Sequence, residues 1–175
     1  KNIDQIYVST DSCEISKVVQ SLSESIKIIE RPKELATDFA STESVMLHAL
    51  DMMNVQNVVL LQATSPLTRF NHIDEAIDLH IKEDYDSILS VVKSEKFIWN
   101  KKLESLNYDY MNRSRRQDLK GYYVETGSFY ISRKDFILKN KCRISGKIGP
   151  YVLPLENIHE IDTLEDWCII EKLLS

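Results

Sequence analysis

The chain has 175 residues, a length that suits one domain with room for an appended arm. Hydrophobic residues make up 43% and charged residues 28%, so a packed core is expected and disorder is excluded. The formal net charge of −5 argues against a general nucleic-acid binder, which needs a positive field, while leaving room for a small nucleotide in a local basic pocket. Cys13, Cys142 and Cys168 are widely spaced, which suggests neither a disulfide framework nor a thiolate metal site. Reduced, buried thiols of a cytoplasmic protein are expected. No apolar stretch approaches a membrane span, and no secretory signal is visible in a chain that begins at Lys1.

In chain order, Gln5 to Ser9 reads as a strand. Asp11 or Ser12 caps a helix to about Leu22, with Ile15, Val18, Val19 and Leu22 on one face. Ile26 to Ile29 is a short second strand, and Arg31-Pro32 opens a loop. Ser41 is a plausible N-cap for a helix from Thr42 to Met53. Val58 to Leu61 reads as a buried strand that ends abruptly in Gln62-Ala63-Thr64-Ser65-Pro66. Asn71 caps the next helix, Ser87 to Val92 is a strand, and the regularity breaks at Lys93. Residues 93–123 are polar and aromatic, the composition of an active-site arm or a dimer arm. Ser128 to Ser132 and Tyr151 to Leu155 read as strands, and Lys134 to Asn140 and Leu164 to Leu174 as helices. Alternation at this spacing predicts an α/β fold, a mostly parallel sheet with helices on both faces.

Several groups suit chemistry. In open α/β sheets ligands bind beyond the carboxyl ends of strands, where Gln62, Thr64 and Ser65 fall; an ordinary polar turn is the alternative. Glu160 and Asp162, two apart on extended backbone, point to one face and form a half-site for Mg²⁺. Asp162 equally suits a helix N-cap with Glu165 three residues later, and one carboxylate can serve both roles. Arg113, Arg115 and Arg116, beside Gln117, suit an anionic substrate or a solvated loop with ion pairs. Arg31, Ser41 and Thr42 lie near a helix start that offers free N–H groups to a nucleotide or simply takes an ordinary cap. Tyr123, Glu125 and Gly127 lie where aromatic rings wall a sugar pocket or pack in a core, and Gly127 permits a turn or a close approach.

The segments IYVSTDS, ERPKELATDFASTES, LLQATSPLT, YDSILSVVKSEKFIW, RRQD, ETGSFYISR and EIDTLEDW, in that order, resemble the acylneuraminate cytidylyltransferases, the CMP-sialic acid synthetases. The resemblance covers almost the whole chain. It implies a Rossmann-like nucleotidyltransferase fold, a homodimer formed partly by a protruding arm from the middle of the chain, and dependence on Mg²⁺. The implied partners are CTP and an acidic nine-carbon sugar, with sister enzymes for legionaminate, pseudaminate or 3-deoxy-manno-octulosonate and a non-catalytic dimerising relative as alternatives. Residue by residue, Arg31, Ser41 and Thr42 match the cytidine-contacting stretch, and Gln62, Thr64 and Ser65 the sugar-binding strand end. Arg116 and Gln117 match the segment near the sugar acid, and Glu160 and Asp162 the paired metal carboxylates. The first of these acids is Glu where several members have Asp, which leaves a direct or a water-mediated contact. Glu125-Thr126 stands where many members have Glu-Asn before Gly. The family begins with a strand and a Gly-, Arg- and Lys-containing loop that cradles the triphosphate. Nothing from Lys1 onward matches that loop, so these 175 residues are expected to be an N-terminally incomplete part of the working enzyme.

Overall fold

The computed structural model describes residues 2–119 and 121–175; Lys1 and Lys120, the latter within the expected arm, lie outside the described residues. Strand β1 (Tyr7–Thr10) leads into α1 (Cys13–Leu22), then β2 (Lys27–Glu30), α2 (Thr42–Asp51), β3 (Asn57–Leu61) and α3 (Phe70–Lys82). Strand β4 (Ser87–Ser94) is followed by β5 (Tyr122–Arg133), α4 (Lys134–Asn140), β6 (Ile148–Val152) and α5 (Leu164–Leu174). Strands β1 and β2 pair in parallel, Tyr7 opposite Lys27 through Thr10 opposite Glu30. The other four form a sheet in the order β3-β5-β4-β6.

Directions within that sheet follow from its hydrogen bonds. Gln62 N donates to Ser128 O and Lys134 N to Gln56 O, so β5 descends as β3 rises. Ser87 N meets Lys147 O and Leu153 N meets Val91 O, so β4 and β6 run in parallel. Strand β5 is therefore the antiparallel member of a mostly parallel arrangement.

The chain divides into two compact units. One contains Lys1–Leu60, Ile73–Ile88 and Tyr130–Gly149; the other contains Leu61–His72, Leu89–Phe129 and Pro150–Ser175. In the first unit Met46, Leu50 and Ile137 are buried, with Leu47, Met53, Val55, Val58 and Leu60 packed on them. Arg143 pairs with Glu43 at 2.8 Å and lies 4.8 Å from the Tyr130 ring centroid. In the second unit Val91, Val92, Phe129, Leu153 and Ile170 are buried.

Several expectations shift. Cys13 and Cys168 are exposed and Cys142 is half-buried, where buried thiols were expected, because Cys13 and Cys168 fall on the solvent faces of α1 and α5. Strand β3 is only half-buried because it is an edge strand: β5 is its one partner among the described residues. Helix α1 is capped by Ser12, whose side chain accepts from Ile15 N, but Ile15, Val18 and Leu22 stay exposed because two short strands offer little area to cover them. Asn71 lies inside α3 rather than capping it, the helix starting at Phe70. Strand β5 begins at Tyr122, well before Ser128, so Tyr123, Glu125 and Gly127 are strand residues. The stretch between β4 and β5 thus runs from 95 to 121. There Phe97 and Tyr108 stack at 4.3 Å, Trp99 Nε1 donates to the Tyr108 hydroxyl at 2.8 Å, and Arg113 lies 4.3 Å over the Phe97 ring. No helix among the described residues is long and apolar enough to cross a membrane.

His80 makes the stability depend on pH. It is 4% exposed, its Nε2 lies 3.4 Å from Asn57 Oδ1, and its Nδ1 has no partner among the described residues. Burial, then the Arg133 charge, lowers its pKa from 6.5, while Asp86 and Asp84 oppose the shift. The folded state prefers the neutral ring, so this stability is full above 6.5 and is lost as pH falls through the lowered folded value. The thermal midpoint is expected to fall between about pH 7 and pH 5, and His80→Gln to flatten that slope; an unchanged slope in the variant removes His80 as its source.

Candidate active site

The site is built in the second unit, at the tip of β3. Beyond Leu61 the chain folds into turns in which Ser65 N donates to Gln62 O and Thr68 N to Ser65 O, both at 3.2 Å. Gln62 is half-buried, its N–H donating to Ser128 O at 3.2 Å, and Thr64 is exposed. The Thr64 carbonyl accepts from Ile161 N at 2.8 Å, which fastens the segment carrying Glu160 and Asp162 to this turn. Ser65, 5% exposed, donates its hydroxyl to Glu160 Oε1 at 3.2 Å. Its hydroxyl is therefore directed at Glu160 rather than at solvent.

Gly127 forms the opposite wall. Its φ is +67°, a left-handed conformation inside a strand that L side chains rarely adopt. A Cβ there would overlap Glu160 Oε1 and stand 3.3 Å from its Cδ, so the absent side chain is the space the carboxyl fills. Tyr123 and Glu125, two apart on β5, are both exposed. Thr126 is 2% exposed and bonds to Ser90 instead of facing a ligand.

Glu160 is the electrostatic centre. Partial burial raises its pKa above 4.5; the Ser65 hydrogen bond opposes this, and the charges of Asp162 and Glu125 raise it further. Two neighbouring carboxylates thus act on Glu160, with no basic group among the causes. No cluster of three or more metal-binding side chains occurs among the described residues, and Asp162 is close enough to Glu160 for its charge to act on it. Hard carboxylate oxygens crowded by like charge fit Mg²⁺, which fills its other positions with water and phosphate oxygens.

Asp162 is not the cap of α5. Thr163 is the N-cap, its side chain accepting from Asp166 N at 3.2 Å, and Asp166 Oδ2 accepts from Thr163 N at 2.9 Å and from Asp162 N at 3.2 Å. The exposed Asp162 carboxylate accepts no hydrogen bond among the described residues. The expected Asp162–Glu165 capping pair is displaced by one residue because the threonine hydroxyl and Asp166 close the reciprocal box.

Arg116 and Gln117 lie on an exposed 3₁₀ turn, Arg116–Asp118. Arg115 pairs with Asp118 at 2.8 Å, and Arg116 lines a cleft of about 630 Å³ with Lys96, Phe97, Arg113 and Ser114. No hydrogen bond or ion pair joins Arg116 or Gln117 to Glu160 among the described residues. Arg31, Ser41 and Thr42 belong to the first unit. Arg31 Nη2 donates to Ser9 O at 2.6 Å and Nε to Ser9 Oγ at 3.3 Å, which ties it to the end of β1. Ser41 caps α2, accepting from Ser44 N at 3.1 Å, and Thr42 opens that helix.

The sequence pattern of the family described as Cytidylyltransferase matches residues 1–164. The chain belongs to the cytidylyltransferase family. A Danio rerio relative named N-acylneuraminate cytidylyltransferase A is 32% identical over 177 residues, covering 97% of this chain and 40% of that protein. An N-acylneuraminate cytidylyltransferase of Streptococcus agalactiae serotype V is 32% identical over 169 residues, covering 93% of this chain and 40% of that protein. This cytidylyltransferase chain thus spans about 40% of the length of the curated relatives it matches. Among solved structures, a 4-diphosphocytidyl-2C-methyl-D-erythritol synthase from Anaerococcus prevotii superposes with a TM-score of 0.72 at 14% identity, covering 99% of this chain and 80% of that one. That likeness shows the α/β nucleotidyltransferase-like fold. Sequence reasoning missed Thr163 and Asp166, although TLED after an acidic residue carries the capping signal.

Proposed function

We propose that this cytidylyltransferase chain transfers CMP from CTP to the anomeric hydroxyl of an N-acylneuraminate, an acidic nine-carbon sugar. The sugar oxygen bonds to the α-phosphorus, the bond from that phosphorus to the bridging oxygen breaks, pyrophosphate leaves, and the hydroxyl proton passes to solvent. One observation carries the reading. The Glu160–Asp162 segment is fastened to the tip of β3 by the Ile161–Thr64 and Ser65–Glu160 hydrogen bonds, in a chain whose relatives carry that name.

Glu160 and Asp162 hold Mg²⁺, which when bound supplies positive charge to the triphosphate and the departing pyrophosphate. Gln62 and Thr64 read sugar hydroxyls at the strand end, Glu125 and Tyr123 on β5 contribute to sugar binding, and Arg116 with Gln117 meets the sugar's acid group. Arg31, Ser41 and Thr42 serve the cytidine. Positioning and charge neutralisation account for the rate. Exposed Leu103, Leu106, Tyr110 and Met111 on residues 95–121 support a homodimer through that arm. Three free cysteines suit a cytoplasmic compartment.

The deciding experiment is pyrophosphate release by the purified full-length protein from CTP, with N-acylneuraminate, legionaminate, pseudaminate and 3-deoxy-manno-octulosonate compared side by side. N-acylneuraminate is expected to give the highest kcat/KM; release with none of the four sinks the reading. Gln62→Ala is expected to raise the sugar KM about tenfold, the equivalent of one hydrogen bond of about 1.4 kcal/mol, with little change in the CTP KM. Equal changes in both argue against sugar binding there.

A further inference from the structure

We infer that Ser90, on β4 behind the site, is a positioning residue for Glu160, acting through a hydroxyl clamp on β5. The inference rests on the reading of Glu160 as a cation ligand.

A left-handed glycine inside a strand marks a bulge, and a bulge leaves backbone groups out of the ladder. At Gly127 those groups are taken by side chains. Phe129 N donates to Ser90 Oγ at 3.0 Å, and Ser128 N to Thr126 Oγ1 at 3.4 Å. Thr126 Oγ1 in turn lies 3.0 Å from Ser90 Oγ and 3.2 Å from Ser90 O and donates toward both. Ser90 is fully buried, and Thr126 and Ser128 are almost so. Water cannot replace a missing partner at these positions.

This clamp fixes both groups that define the Glu160 seat. It holds Gly127, whose bare Cα makes room for Glu160 Oε1. It also holds Ser128, whose carbonyl accepts the Gln62 N–H at the root of the turn that carries Ser65. Ser65 donates to the same Oε1. One carboxyl oxygen is thereby fixed from two sides, and Oε2 is the oxygen left to a ligand. Ser90 reaches no substrate; it acts by keeping the bulge in register.

The test uses the full-length protein with CTP and reads Mn²⁺ binding by electron paramagnetic resonance, with exchange of the Phe129 amide as a second readout. Ser90→Ala is expected to weaken Mn²⁺ at least about tenfold, to raise the Mg²⁺ needed for half-maximal turnover in step, and to expose the Phe129 amide to exchange. Thr126→Val is expected to reproduce the effect, and Thr126→Ser, which keeps the hydroxyl, to restore wild-type binding. This pair decides the matter should Ser90→Ala fail to fold. Wild-type Mn²⁺ affinity in folded Ser90→Ala or Thr126→Val overturns the positioning role while leaving the cation reading intact. A wild-type protein that binds no Mn²⁺, or Glu160→Gln with undiminished affinity, overturns the cation reading itself.

Discussion

Alanine at Gly127 is expected to lower the proposed CMP transfer about a hundredfold and to weaken the proposed cation binding with it. Two separate costs meet at this position. The backbone sits at φ +67°, where an L side chain costs roughly 1–2 kcal/mol. The new methyl group would also overlap Glu160 Oε1. The obstructing atoms are the end of a side chain, so the cheaper relief is for Glu160 to swing aside and lose its bond from Ser65. A displacement of about 1 Å in a reacting constellation costs about 10²-fold. The fold is expected to survive with a modestly lowered thermal midpoint while kcat collapses. Adding Glu160→Asp to the variant shortens the carboxyl arm, withdraws it from the overlap and should return part of the lost rate. Gly127→Ala with wild-type turnover would show that the seat does not control the reaction.

The elements with strong local signals were legible in the sequence. Ser41 as a cap, Ser12 as one of two candidates, and the limits of helices α4 and α5 follow from local signals, although the cap of α5 falls one residue later than expected. What local signals could not give was the environment. The apolar run of β3 reads the same at the edge of a sheet as at its centre, and only pairing decides which. The stripe Ile15, Val18, Leu22 marks a helix without saying what covers it. Gly127 reads as a turn or a close approach because glycine weakens a strand, yet here it lies at φ +67° inside the long strand β5. Pairing of Glu160 with Asp162 was visible from spacing, whereas the fixing of Glu160 by Ser65 joins residues 95 positions apart and has no local signature.

Asp162→Ala is expected to lower kcat by about 10²–10³ with little change in stability. The two readings open at this residue, cap and cation ligand, predict opposite balances. A cap lost to alanine costs about 1 kcal/mol of stability and leaves chemistry alone. A carboxylate lost from a cation site removes several kcal/mol of charge stabilisation, each 1.36 kcal/mol being tenfold in rate. The structure already assigns the cap to Thr163, and Asp166 satisfies the neighbouring N–H groups. Helix α5 therefore has no use for the Asp162 carboxylate, which stays exposed beside Glu160 and adds to the negative potential there. The matched control is Thr163→Ala, which should lower the thermal midpoint and keep turnover near that of the wild type. Measuring kcat, Mg²⁺ half-saturation and thermal midpoint for both variants separates the roles. If Asp162→Ala loses stability as Thr163→Ala does and keeps its turnover, the carboxylate belongs to the helix and the cation site must be sought elsewhere.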